Sequence, residues 1–384
     1  MMFDDELYDL ERKHLRRRLR TVSSPNDPVI TLEGQSVIQF ASNNYLGLAN
    51  HPTIKKAATD AIHHYGVGSG ASRLISGTQT PHLQLESTLA TFKGTEAALT
   101  FGTGYNTNIG IISTLVGSQD RILADRLCHA SLIDGCRISQ ASLRVFHHND
   151  TKHLTQLLSK KNKKQKTLIL TEGVFSMDGD IAPLSELVRL AAEFEATLLV
   201  DDAHGTGVMG ATGRGTIEHC DIDPHALIQM GTFSKALGTI GGYVVGSTSL
   251  IDYLINTSRS FIYTTAPPPS MAAATQAAIT MVQSDPARRA RLWKNRDHVI
   301  QGLKAMGLQL SDTQSPILPI ILNDPQQALA MTTKLLDHGI YVPAIRPPTV
   351  PKGTSRLRMT ITSEHTHEHI ETALNAFEAV KKNL

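Results

Sequence analysis

The sequence is poor in the residues that staple or anchor a chain. Of 384 residues only three are cysteine (Cys128, Cys136 and Cys220) and one is tryptophan, and aromatic residues make up 5%. An odd set of cysteines with no C-x-x-C pair supports neither a secreted disulfide framework nor a zinc ribbon, so reduced cytosolic thiols are the simple reading. No stretch approaches the ~18 uninterrupted apolar residues of a membrane span. The opening MMFDDELYDL is acidic and lacks the basic-then-apolar pattern of a signal peptide, so the expected location is the cytoplasm. Net charge of one sign is also missing: 37 Lys+Arg against 35 Asp+Glu gives a formal +2. No large field is present to grip nucleic acid or an anionic membrane, and any anionic ligand must meet a local arrangement of groups.

What is present is an ordinary globular composition, 41% hydrophobic and 19% charged, on a chain long enough to bury about three quarters of its unfolded surface. Leu7, Leu10, Leu15 and Leu19 recur among charges and predict an amphipathic helix over 4–20, within an N-terminal helical arm covering 1–44. Val37 to Phe40 reads as a strand, Pro52 to about His64 as a helix, and the Gly-rich 66–78 as a loop able to line a site. From 45 to 265 short apolar, β-branched runs alternate with helical patterns: LTFGTG, RILAD, SLRVF, TLILTEG, ATLLVDDAHG, LIQMGTFSK and GGYVVG. That alternation predicts an α/β domain with a mostly parallel central sheet flanked by helices. After the prolines at 267 to 269, the strand-like ILPIIL and RLRMTIT and the helical 326–338 predict a smaller α+β domain over 266–384. KKNKKQK, at 160 to 166, reads as a solvated loop.

Ligands of parallel α/β sheets bind beyond the carboxyl ends of the strands. ATLLVDDAHG places Asp201 and His204 at such a rim, and the next strand run ends in GTFSKALG, bringing Lys235 to an equivalent edge. The bland reading is a structural ion pair. The chemical one is pyridoxal 5'-phosphate (PLP), for which a lysine holds the aldehyde as a Schiff base and a carboxylate keeps the pyridine nitrogen protonated. FGTGYNTN, with Gly102 and Gly104 before a helical run, offers backbone N–H groups suited to phosphate. Thr232 and Ser234 could add hydroxyls, and His129 follows another strand end and could lie against the ring. Rival motifs fail on spacing. Gly66, Gly68 and Gly70 form G-x-G-x-G and not a dinucleotide fingerprint, and neither a phosphate-binding P-loop nor a G-x-S-x-G elbow is present. The alternating His365, His367 and His369 of EHTHEHI read as solvated helix surface, and no metal is expected.

EGVFSMDGD, DDAHGTG and GTFSKALG together resemble the α-oxoamine synthases, fold-type I PLP-dependent enzymes that condense an amino acid with an acyl thioester. The likeness runs from the N-terminal arm to RLRMTIT. Carried over by position, it implies Lys235 as the Schiff-base lysine, Asp201 as partner of the pyridinium nitrogen and His204 as donor to the ring oxygen. It further implies Ser176 beside that oxygen, Gly104, Tyr105 and Thr232 around the phosphate, and His129 stacked on the ring. Arg16 and Thr349 are implied near the acyl donor, the run LRRRLR leaving Arg17 and Arg18 as alternatives to Arg16; Arg358 and Arg346 are implied on a carboxylate, and Asn43 facing substrate. Ala344 to Arg358, AIRPPTVPKGTSRLR, and IYTTAPPP narrow the resemblance to the branch that joins L-alanine to pimeloyl-CoA or pimeloyl-acyl carrier protein in biotin biosynthesis. Glycine with acetyl-CoA is the competing pair, and a homodimer is implied.

Overall fold

The computed structural model describes residues 3–160 and 165–381. Positions 161–164 of KKNKKQK fall outside the described residues. The chain forms two compact units, one of His51–Phe175 with Ile181–Pro286, the other of Met1–Asn50, Ser176–Asp180 and Ala287–Leu384. The breaks expected from sequence fall after residues 44 and 265. The N-terminal segment clusters with the C-terminal one and forms no unit of its own.

The first unit is built on a seven-stranded sheet, ordered Ala97–Phe101, Gly242–Gly246, Ile228–Thr232, Thr197–Asp201, Thr167–Glu172, Arg121–Asp125 and Ser142–Phe146. Each strand overlaps one of the seven runs read from sequence, Ala97–Phe101 starting two residues before LTFGTG. The four pairings from Ile228–Thr232 to Ser142–Phe146 are parallel, and Gly242–Gly246 is antiparallel to both neighbours. Strands covered on both faces carry continuous apolar runs, and their alternate residues divide between two cores. Leu99, Ile122, Leu168, Leu170, Leu199, Met230 and Val244 enter one. Leu123, Ile169, Leu198 and Val200 enter the other, as the two-residue period of a strand requires.

The helices begin where polar side chains satisfy unpaired N–H groups. Thr103 caps Gly104–Leu115 by accepting from Asn106 N (3.1 Å), and Asp150 caps Thr151–Leu158 by accepting from His153 N (2.9 Å). Part of the expected Gly-rich loop is regular: Arg73–Gly77 forms a π-helical turn. Its buried Arg73 makes a two-pronged pair with Glu86 (2.8 and 2.9 Å), a tertiary contact that local composition does not announce.

The second unit holds two three-stranded sheets. In one, Gln35–Gln39 pairs with Val29–Leu32 and Ile340–Tyr341; in the other, Ser355–Thr360 pairs with Ile317–Asn323 and Ala344–Ile345. Helices Pro325–Asp337 and His367–Lys381 complete the α+β pattern. The N-terminal helix spans only Asp4–Arg12 instead of 4–20. It stops at His14, whose φ of 55° lies in the left-handed region, and the Leu15 and Arg16 N–H groups both turn back to the Leu10 carbonyl.

DDAHG contains two adjacent carboxylates, and the fold separates their work. Asp202 is fully buried and pairs with Lys93 at 3.0 Å. It also accepts from Thr206 Oγ1 (3.0 Å), Thr216 N (3.0 Å) and Thr216 Oγ1 (2.7 Å). Removing one partner of a buried pair strands the other charge. Asp202→Ala is therefore expected to destabilise the protein by about 3–5 kcal/mol, read from the urea midpoint of the apoprotein.

Candidate active site

Four groups of the first unit gather at the carboxyl edge of its sheet. Phe101 and Thr232, ending two strands of the same direction, both pair in register with Gly242. A Cβ on Gly242 would meet Gly104 N at 2.8 Å, so only glycine allows this approach. A Cβ on Gly104 would in turn stand 3.3 Å from Thr232 Cβ. The N-terminus of helix Gly104–Leu115 is thus held against the end of Ile228–Thr232. Asn106 N is taken by the Thr103 side chain and Thr107 N by the Thr103 carbonyl. The N–H groups of Gly104 and Tyr105 have no intrahelical acceptor, which makes this end suited to an anion. Thr232 Oγ1 gives its own proton to the Gly241 carbonyl (2.6 Å). Ser234, exposed and 2.9 Å from that oxygen, is the hydroxyl of this turn that can reorient toward an anion. The Tyr105 hydroxyl donates to Asp134 at 2.5 Å and stands half exposed.

Asp201 closes Thr197–Asp201 and is buried, accepting from Ala203 N (3.0 Å) and Asn108 Nδ2 (2.9 Å). His204, three residues on, is buried as well. His129 caps helix Ala130–Ser139, its Nδ1 accepting from Ser131 N at 3.2 Å and lying 2.7 Å from Ser131 Oγ. Its backbone N–H donates to Glu172 at 2.6 Å. The imidazole is exposed to solvent, yet enough protein surrounds it that desolvation holds its pKa below the usual value; Lys235 adds to this, while Asp201 and Asp134 oppose it. His129 therefore feels the charges of both Asp201 and half-buried Lys235, the groups read from two other strand ends of the same unit. The neighbouring Cys128 is no nucleophile, because burial drives its thiol pKa up, with Glu172 and Asp125 adding to the shift.

The second unit carries a different cluster. Arg358 is buried on strand Ser355–Thr360; its Nε donates to the Ser176 carbonyl (2.6 Å) and its Nη1 to Asn43 Oδ1 (3.1 Å) and Thr360 Oγ1 (3.1 Å). All three acceptors are neutral. Among the described residues no carboxylate pairs with Arg358, whereas Arg356, two positions earlier, is neutralised by Asp178 at 2.6 Å. A buried guanidinium without a counter-charge invites a carboxylate ligand. In the basic run of the N-terminal segment the arginines differ: Arg16 pairs with Glu11 (3.2 Å), and Arg17 donates to Thr349 Oγ1 (2.9 Å). Arg346 donates to the His14 carbonyl.

The model of the aminotransferase class I and II family matches residues 35–377. The chain belongs to that family. It is 45% identical to the 8-amino-7-oxononanoate synthase of Geobacter sulfurreducens, over 99% of this chain and 97% of that one. It is 43% identical to the 8-amino-7-oxononanoate synthase of Bacillus pumilus, again over 99% and 97%. A solved serine palmitoyltransferase from S. paucimobilis, with bound PLP–myriocin aldimine, matches it with a TM-score of 0.95 at 36% identity, covering 100% of this chain and 98% of that one.

Asn108 and Ser131 are the residues of these clusters that sequence reasoning passed over. Asn108 stands one helical turn after Gly104, and Ser131 two residues after His129, so each lay close to a residue already chosen. The EHTHEHI reading needs correction. His365 is no solvated helix residue: the helix begins at His367, and His365 is buried before it, stacked on Phe40 (4.2 Å, 7° between planes). Its Nδ1 accepts from Thr362 N (3.0 Å) and its Nε2 donates to the Gln39 carbonyl (2.9 Å). His367 instead stacks on His298 (5.1 Å), whose Nε2 bonds Glu371 at 2.7 Å.

Burial pushes His365 down to about 4. The unfolded chain takes up this proton below pH ~6.5 while the folded one refuses it, so the stabilisation is complete above that pH and is lost as the pH falls toward 4. The protein is expected to be about 2 kcal/mol less stable at pH 5 than at pH 7 from this residue, a difference that His365→Leu should remove in urea titrations at the two pH values.

Proposed function

We propose that this chain is an 8-amino-7-oxononanoate synthase that uses PLP to condense L-alanine with a pimeloyl thioester. The products are 8-amino-7-oxononanoate, CO2 and the free thiol of CoA or acyl carrier protein, a step of biotin biosynthesis. The observation that carries the reading is the set at one sheet edge: a buried carboxylate, an imidazole, a lysine and a helix N-terminus. Each matches one part of the cofactor. The N–H groups of Gly104 and Tyr105, with the Thr232–Ser234 turn, suit the phosphate; Asp201 suits the pyridinium nitrogen; and Lys235 suits the aldehyde. His129 supplies a flat, neutral face, and His204 and Ser176 are the donors for the ring oxygen. When bound, the cofactor supplies an electron-withdrawing ring that stabilises negative charge on the substrate Cα.

The chain's own residues do the rest. Arg358 holds the alanine carboxylate, with Asn43 beside it and Arg346 as a further cation, and so fixes which Cα bond is aligned for cleavage. Lys235 Nζ takes the Cα proton, acting as general base, and returns a proton to that carbon after CO2 leaves. Thr349, with Arg16 or Arg17, receives the acyl donor. Asp201 contributes through its charge: at an effective dielectric of ~20 two unit charges 4 Å apart interact by about 4 kcal/mol. Asp201→Ala should therefore lower kcat by roughly a thousandfold.

A homodimer in the cytoplasm fits the same reading. Helix Asp4–Arg12 buries none of its residues, leaving Leu7 and Leu10 available to a second copy. No helix among the described residues is long and apolar enough to cross a membrane.

The deciding experiment measures thiol release with alanine, glycine and serine against pimeloyl-CoA and acetyl-CoA. Alanine with pimeloyl-CoA should give the highest kcat/KM. A preference for glycine with acetyl-CoA, or for serine as the name of the serine palmitoyltransferase neighbour suggests, would overturn the substrate assignment. Lys235→Ala should lose both turnover and the visible absorbance of the bound cofactor, and normal turnover in that variant would sink the mechanism. Arg358→Lys should keep the absorbance and raise the alanine KM by roughly 10- to 100-fold, since an ammonium cannot keep the bonds to Ser176, Asn43 and Thr360 and still present a donor to the carboxylate.

A further inference from the structure

Asn108 ties Asp201 to His129. It is 1% exposed, on helix Gly104–Leu115, and its Nδ2 donates to Asp201 Oδ2 and to Ser131 Oγ, each at 2.9 Å. Both amide protons are thereby used. Ser131, also 1% exposed, accepts from Asn108 and so turns its own proton to His129 Nδ1, 2.7 Å away. The Ser131 backbone N–H donates to that same nitrogen at 3.2 Å. With two donors aimed at it, Nδ1 carries no proton, and the neutral ring is fixed as the Nε2–H tautomer.

The amide cannot turn round. A flip would aim Asn108 Oδ1 at the Asp201 carboxylate and at the Ser131 oxygen. In the orientation present, Oδ1 is buried and has no hydrogen-bond partner. A residue serving only to fill this space would be better as leucine, which has nearly the same shape and no unpaired carbonyl. What leucine would lack is the pair of donors that Asn108 presents to Asp201 and Ser131.

Resting on the PLP reading above, we propose that Asn108 and Ser131 are positioning residues, which lock the Asp201 carboxylate and the His129 ring into one hydrogen-bonded unit for the cofactor. Neither residue touches the reacting atoms; each acts through a neighbour that does.

The test uses the full chain stripped of cofactor and titrated with PLP by equilibrium dialysis, so that substrate identity plays no part. Asn108→Leu should weaken PLP binding roughly 10- to 100-fold, the range of a hydrogen bond to a charged group. In an Asp201→Asn background the same substitution should cost less than about threefold, because the charge it serves is gone. Long-range ¹H–¹⁵N spectra of histidine-labelled apoprotein, with His129 assigned from His129→Gln, should show the Nε2–H tautomer in the wild type and a mixture in Ser131→Ala. Equal losses in both backgrounds, or wild-type affinity in Asn108→Leu, would overturn the proposal. If circular dichroism shows Asn108→Leu unfolded, Ser131→Ala decides: PLP affinity within twofold of wild type together with an unchanged tautomer refutes the coupling, and the mixed tautomer supports it. A wild-type chain that binds no PLP would instead refute the proposed function.

Discussion

The close approach at Gly242 is the constraint on which the site depends. An antiparallel strand inserted between two strands of common direction brings the ends of Ala97–Phe101 and Ile228–Thr232 to one level. The helix that follows the first of them must then start within van der Waals reach of the last residue of the second. Any side chain at Gly242 would drive Gly104 outward, and with it the N–H groups that face an anion. The next turn, Phe233 to Gly241, carries Lys235 and is closed by Thr239 N to the Phe233 carbonyl and Phe233 N to the Gly241 carbonyl, both at 3.0 Å. Anion site and lysine are thus two consequences of a single register.

Strand registers also explain why two adjacent aspartates have different fates. Asp201 pairs across the sheet with Glu172 on one side and Met230 on the other, at the last rung of its strand. Asp202 is the first residue past that rung, and its side chain meets Lys93 and the Thr206 and Thr216 hydroxyls. One carboxylate is consumed by the scaffold. The other is left with two neutral donors and lies within electrostatic reach of His129, which makes it the one able to serve a cationic ligand.

Much of this was legible in the sequence because parallel strands buried on both faces are written as continuous apolar runs, and because strand ends carry the chemistry of such sheets. All seven strands, Asp201, Lys235 and the helix start after Gly104 follow from those two rules. What was not legible depends on distances across the fold. Arg16 and Arg17 are equivalent in a basic run, and only the placement of Thr349 and Glu11 separates them. Arg73 gave no local signal for a helical turn, since its partner Glu86 lies on a different element. His365 looked solvated because its neighbours in sequence are polar, while its neighbours in space are Phe40 and two backbone groups. Asn108 and Ser131 could not be chosen from many buried polar residues until their donors and acceptors were paired.

Arg356 and Arg358 bring the same logic to the second unit. They lie on one strand two residues apart, and both are nearly without solvent contact, so desolvation costs are alike. Arg356 offsets that cost internally through Asp178. Arg358 is surrounded by a carbonyl, an amide and a hydroxyl, which orient a guanidinium without cancelling its charge. Folding alone does not account for that arrangement, because an apolar side chain of similar volume would remove the burden of an unpaired buried cation. The uncompensated charge of Arg358, hydrogen-bonded but without a counter-ion among the described residues, shows where stability has been given up for binding in this unit.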